Sequence, residues 1–257
     1  MAPPPLCIGV VAPLTGRLSP LGAPLSYVPR ALTPCLAHVR NGGRRHEVTV
    51  TVRDSSSEPG AARRAVRDLA AEDGAHIVLT IRNPGCCPPS PTPRCPGATT
   101  RWLTYPHTHT TPAPDVHAEL GDARVATLGC WSPVHPYRSS LDGGTCAEPA
   151  RAYEENTGAA WLQPLGLAHA LLETAHHALA MAADPADRAS VADAVARTRL
   201  DTIAGPLNRT AGPTPNIALL PLVGGQWHPE PVGPRLAVVD NTGRPEVPLT
   251  GDLVPAR

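Results

Sequence analysis

Along the first half of the chain the apolar positions switch between two periods, and each switch marks an element. Leu6-Cys7-Ile8-Gly9-Val10-Val11-Ala12 is an unbroken apolar run closed by Pro13, Thr15 and Gly16. Such a run predicts a strand covered on both faces, as in a parallel sheet between helices. Residues 22–40 carry Leu25, Val28, Leu32, Leu36 and Val39 at helical spacing, with Pro29 and Pro34 opposing an ideal helix and Asn41-Gly42-Gly43 ending it. Residues 47–53 change to strict alternation, with Val48, Val50 and Val52 on one side, and predict a second strand. Asp54-Ser55-Ser56-Ser57-Glu58-Pro59 offers capping residues and a first-turn proline for a helix to residue 73, its apolar stripe being Ala62, Val66, Leu69 and Ala70. Residues 76–81 give a third strand. An order of β-α-β-α-β with short connections implies right-handed crossovers and a parallel sheet.

Between residues 82 and 119 neither period survives. Pro-Gly-Cys-Cys-Pro-Pro-Ser-Pro-Thr-Pro, at 84–93, places proline too densely for any helix. Residues 101–105 and 125–131 read as short strands. Helices follow at 147–157 and 163–183, the second with Leu165, Ala168, Leu172, Ala175 and Leu179 along one face. A further helix begins after Asp184-Pro185 and turns Val191, Ala194 and Val195 inward. Residues 201–207 read as one strand, and 217–223, 226–228 and 235–240 as short strands joined by Gly and Pro turns.

The chain has 257 residues, 42% of them hydrophobic, enough for a sizeable core. Its 22 basic residues, all arginine, balance 22 acidic ones. The zero formal charge and lack of a basic patch argue against nucleic acid and anionic membranes as partners. No apolar run reaches membrane-spanning length. Seven cysteines leave at least one unpaired, and Cys86-Cys87 with Cys95 lack the spacing of zinc ligands. His107, His109 and His117 stand in the proline-rich stretch and read as solvated loop residues, while His176 and His177 point too far apart on a helix to share an ion. Phosphate loop, nucleophile elbow and zinc-protease helix are all missing, so no cofactor, metal or catalytic group is expected. The loop after the first strand, with Thr15, Gly16 and Gly22 ahead of a helix, lies where open α/β sheets bind ligands.

Ile8-Gly9-Val10-Val11-Ala12-Pro13-Leu14-Thr15-Gly16 and Val50-Thr51-Val52-Arg53-Asp54-Ser55-Ser56-Ser57-Glu58-Pro59 resemble the opening of the type I periplasmic binding proteins. The likeness is narrower to the branched-chain amino acid and amide substrate-binding components of ABC transporters, the leucine-binding-protein-like group. It resumes at Trp131-Ser132-Pro133-Val134-His135-Pro136-Tyr137-Arg138-Ser139-Ser140, at Gln163-Pro164-Leu165-Gly166 and at Pro221-Leu222-Val223-Gly224-Gly225-Gln226-Trp227, covering roughly two thirds of the chain. This resemblance implies an α/β fold with a first, Rossmann-like lobe from residues 1–104 and 151–216. It implies a second lobe, shortened here, from 105–150 and 217–257.

By the same resemblance the protein is a non-enzymatic, extracytoplasmic binding protein for an amino acid or related polar organic, working with ABC permease subunits. A ligand-sensing or partner-binding domain of the same fold is the alternative. No signal peptide precedes Leu6, which implies a mature or truncated form. Carried over position by position, Thr15, Leu21, Asn83, Thr99 and Thr100 form the first-lobe wall of the ligand site. Tyr105, Trp131, His135 and Tyr137 shape the opposite wall, Trp102 is a further aromatic of the ligand site, and Asp54 is a helix cap or a ligand contact. The shortened lobe implies a shallow cleft and an unprotected sheet edge near 125–131.

Overall fold

The computed structural model describes residues 5–82, 102–106, 126–212, 214, 217–228 and 235–254. β1 (Leu6–Ala12) is buried at every position. It runs parallel between β3 (Arg44–Asp54) and β4 (Ile77–Arg82), with Leu6 opposite Val48 and Ile8 opposite both Val50 and Ile77. β5 (Trp102–Pro106) lies parallel along β4. β2 (His38–Asn41) pairs antiparallel with β3 at the other edge, giving the order β2-β3-β1-β4-β5. The two faces of β1 feed two cores, because strand side chains alternate. Leu6, Ile8, Val10 and Ala12 join the larger one, and Cys7 and Val11 join Ala65, Val66 and Leu69 in the smaller. The three parallel strands expected from the sequence are therefore present.

Residues 22–40 do not form one helix. α1 (Ser19–Ala31) ends where Leu32 N–H closes onto Val28 O, and Pro34 starts the single turn α2 (Thr33–Leu36). Val39 is buried as a residue of β2. Gly42 and Gly43, at φ of 53° and 80°, form the two-residue turn of a hairpin with β3. Such hairpins require positive φ at both central positions, so the Asn-Gly-Gly signal belongs to a strand turn rather than a helix end.

α3 (Pro59–Ala71) covers one face of the sheet. α1 packs on the other face with α5 (Pro164–Met181), which is buried around nearly its whole circumference. Asn41 Nδ2 donates to the carbonyls of Leu179, Ala180 and Ala182, and His176 Nε2 lies 2.9 Å from His38 O. The C-terminus of α5 is thereby fixed at the amino edge of the parallel strands, and its N-terminus points to the carboxyl edge. α4 (Ala147–Thr157) sets Tyr153 edge-on against Tyr27 of α1, and α6 (Arg188–Ala196) packs on α5.

A second sheet is antiparallel, with β9 (Val223–His228) between β10 (Arg235–Asp240) and β6 (Ala126–Gly129). Val223, Val238 and Val247 form its small core. Residues 201–207, expected as one strand, belong to a hairpin of β7 (Arg199–Thr202) and β8 (Gly205–Asn208), with the bend at Ile203-Ala204. Among the described residues no helix is long and apolar enough to cross a membrane.

Candidate functional site

The carboxyl edge of the parallel sheet is organised by Asp54. Its Oδ1 accepts the backbone N–H of Leu14 at 2.8 Å, of Thr15 at 3.3 Å and of Ser56 at 2.7 Å, and its Oδ2 accepts the Thr15 hydroxyl at 2.5 Å. Partial burial raises the carboxyl, but these bonds outweigh it and hold it at about 2. Ser57 Oγ donates to Thr15 O at 2.6 Å and accepts Leu18 N–H at 3.0 Å. To reach these partners Ser56 and Ser57 take left-handed φ of 49° and 58°, a conformation that costs a non-glycine residue on the order of 1 kcal/mol. Asp54 thus caps no helix: α3 begins after Glu58 with no side-chain cap. It ties the loop after β3 to the loop after β1.

At the N-terminus of α5 the chain returning from the second sheet is clasped by one buried amide. Gln163 Oε1 accepts Cys130 N–H at 2.8 Å and its Nε2 donates to Leu128 O at 3.3 Å. Trp131 is wholly enclosed and stacks edge-on with Trp161 at 5.7 Å. A Cβ on Gly166 would fall 2.1 Å from the Trp131 ring, so only glycine lets α5 approach it. Further along α5, Glu173 accepts Ser140 N–H and hydroxyl through Oε1 and Ile203 N–H through Oε2. Burial pushes Glu173 up to about 7 against the pull of these donors. His169, bonded to Ser139 Oγ at 2.9 Å, is pushed down to about 4 by burial. Burial also raises Cys130 and Cys146 to about 12, so both are neutral thiols.

His135 and Tyr137 belong to a second polar cluster built around Arg244. The guanidinium of Arg244, buried with its residue 2% exposed, lies 4.9 Å from the Tyr137 ring centroid and donates from Nη1 to Ala204 O at 3.4 Å. Tyr137 donates to Glu246 at 2.5 Å. His135 bonds Ser132 Oγ through Nδ1 at 2.8 Å, and burial followed by the Arg244 charge lowers it to about 4. Gly205, at φ of 108°, leaves the space the guanidinium fills: a Cβ there would stand 2.6 Å from Nη1. A cleft of about 310 Å3 opens on another side, between α4 and β10, with Trp161 and Arg235 among its lining.

Thr15 and Asp54 are thus brought together, and Leu21 lies in the first turn of α1. Trp131 and His135 are enclosed by protein, so the wall role expected of them would need surface that the fold uses internally. Trp102 and Tyr105 lie on β5 beside β4. Asn83, Thr99, Thr100 and the histidines at 107, 109 and 117 lie outside the described residues. Sequence reasoning passes over Gln163, Glu173, Trp161 and Arg244. Glu173 alone carries a signal, as the one acid in the apolar run of α5; Arg244 sits in a turn whose pattern says nothing of a partner 40 residues away.

No protein-family model and no curated protein matches this sequence. Solved structures do resemble it. A leucine binding protein from Thermotoga maritima aligns over 92% of this chain and 99% of its own, at 11% identity and a TM-score of 0.64. An ABC-type branched-chain amino acid transporter protein from Rhodopseudomonas palustris aligns over 91% and 95%, at 12% identity and a TM-score of 0.61. A solute binding protein of an R. palustris ABC transporter, in complex with benzoate, aligns over 97% and 98%, at 11% identity and a TM-score of 0.56.

Proposed function

We propose that this chain, folded as a type I periplasmic binding protein, is an extracytoplasmic solute-binding component of an ABC importer. The observation that supports it is the alignment over nearly the whole of both chains with proteins titled as transporter binding components. The reading divides the chain into a first lobe of residues 1–104 and 151–216 and a reduced second lobe of 105–150 and 217–257. A small polar organic, such as a branched-chain amino acid or its amide, sits over the carboxyl edge. There the Thr15 loop is braced by Asp54, and the resemblance assigns Asn83, Thr99 and Thr100 to the same wall. Uncharged donors orient a zwitterion without trapping it, which suits capture followed by release to permease subunits.

Calorimetry against branched-chain amino acids, their amides and benzoate tests the reading. At least one should bind and raise the unfolding midpoint, with a stabilisation of about 2.7 kcal/mol at a hundredfold excess over Kd. Asn83→Ala should weaken that ligand by about 1 kcal/mol, the net value of one neutral hydrogen bond. Turnover of the compound, or no heat with any member of the panel, would overturn it; the second result would favour a partner-binding domain of the same fold.

A further inference from the structure

We propose that residues 130–146 belong to the body built on the large sheet, that the small sheet β6-β9-β10 is the unit that moves against it, and that Gln163 and Arg244 position one on the other. As a device for capturing a solute this deepens the binding-protein reading and rests on it; the division itself rests on packing. Trp131, Cys146, Ala150 and Tyr153 join the larger core with Ile8, Leu165 and Leu171, whereas Val223, Val238 and Val247 form a core of their own. Separate cores open separately, because each keeps its own apolar area out of water.

Polar ties draw the same line. Between residues 130 and 146 buried groups bond to α5 and to the bend after β7: Ser139 to His169, Ser140 to Glu173, and the Cys146 thiol to Ile203 O at 3.1 Å. Glu173 also accepts Ile203 N–H, so one carboxylate, 1% exposed, holds the segment and the bend at once. The boundary therefore falls between Gly129 and Cys130, where Gln163 grips both sides: Oε1 accepts Cys130 N–H on the large body, and Nε2 donates to Leu128 O on β6. The chain crosses again between Leu220, packed on the larger core, and Val223, the first residue of the smaller one. Arg244, in the turn after β10, is the second tie. Its guanidinium lies over the Tyr137 ring and donates to Ala204 O, both on the large body, and Tyr137 adds its bond to Glu246. Elsewhere the two bodies face each other across the cleft between α4 and β10, whose volume of about 310 Å3 leaves room for a change of angle.

Hydrogen exchange of the full chain without ligand, read by mass spectrometry, tests this. Peptides from 130–146 should exchange as slowly as those from 165–175, and peptides from 223–228 and 235–240 about tenfold faster, through an opening of their own. Gln163→Met and Arg244→Met should each speed 223–228 and 235–240 about tenfold further and leave residues 139–146 and β1 unchanged. A variant that merely weakened the fold would speed all of them. In Gln163→Glu the protonated carboxyl accepts and donates as the amide does, so its exchange should match the parent at pH 5 and Gln163→Met at pH 8. If Gln163→Met does not fold, the parent pattern and Arg244→Met decide. Exchange of 130–146 in step with 223–240, or variants that leave 223–240 unchanged, would overturn the division. Failure of the amino-acid panel would remove the transport reading and leave these rates as they are.

Discussion

Around β1 the side chains that leave the strand meet apolar neighbours: Ile8 and Val10 turn into the core shared with Leu165, Leu171 and Leu172, and Val11 turns to Leu69. Around residues 130–146 several polar side chains are instead tied to particular atoms of α5. Ser139 meets His169, Ser140 meets Glu173, and Cys130 meets Gln163. The first region is stabilised by area removed from water, which is tolerant of detail and almost indifferent to pH. The second depends on directed hydrogen bonds between polar groups, which demand geometry and respond to protons. One chain thus carries a robust sheet and a specific junction, and the two should break in different ways.

The largest effect is expected in the apolar region. Leu171→Ala removes a side chain 1% exposed from the larger core and should cost about 2–5 kcal/mol at every pH between 5 and 8. Urea unfolding at several pH values checks both the size and the flatness of the difference.

The junction should behave otherwise, and the signs can be worked out. Glu173 holds its proton more tightly folded, at about 7 against an ordinary value of 4.5. Its contribution is full below pH 4.5 and is lost as pH rises through 7. His135 and His169, at about 4 against 6.5, do the reverse: their contribution is full above pH 6.5 and is lost as pH falls through 4. His76 and His177, also lowered by burial, act in the same direction. Between pH 4.5 and 6.5 the histidines outnumber the acid, so stability should rise with pH. Glu173→Gln removes the one opposing group and should steepen that rise by about 1.4 kcal/mol per pH unit. A flat profile in the variant would show that the junction's polar groups do not titrate on folding.

The difference between the regions also explains what is legible in the sequence. Apolar burial leaves a period, so β1, β3, β4, α3 and α5 can be placed from residues alone, and the parallel order follows. Hairpins depend on a turn rather than a period. Asn41-Gly42-Gly43 reads as a helix end, and the bend at Ile203-Ala204 is hidden within a single expected strand. Long-range polar ties leave no local trace: nothing near Gln163 announces Cys130, and nothing near Arg244 announces Gly205. Asp54 stands out in the sequence as a residue with a task. Its partner proves to be the loop after β1, 40 residues back, rather than the helix beside it.

A smaller and sharper effect is expected where the two regions meet. Gly205→Ala puts a Cβ against the Arg244 guanidinium in a backbone conformation that alanine resists, at about 1–3 kcal/mol. Part of that cost should vanish in an Arg244→Met background, because the flexible thioether can withdraw. The coupling in the double-mutant cycle measures the contact alone. Arg244→Met by itself should raise the titration midpoint of His135, read by NMR, since the Arg244 charge helps to hold it down.

The smallest effect separates structure from ligand at the carboxyl edge. Thr15 Oγ1 donates to Asp54, whose carboxylate also receives three backbone N–H groups and the Ser56 hydroxyl at 3.2 Å. Thr15→Ala removes one donor of five, so the loop should keep its shape and stability should fall by about 1 kcal/mol. The Thr15 hydroxyl proton is already committed to Asp54, so affinity for a bound amino acid should change by less than about twofold. Asp54→Asn reaches further, because it leaves several donors without a charged acceptor. The depressed carboxyl contributes stability that is present above pH 3.8 and lost as pH falls through 2. The Asp54→Asn variant should therefore be less stable at neutral pH, and its deficit should shrink on acidification as the parent protonates. If Thr15→Ala instead weakened the solute about fivefold at unchanged stability, the hydroxyl would belong to the ligand and Asp54 would be the residue that aims it.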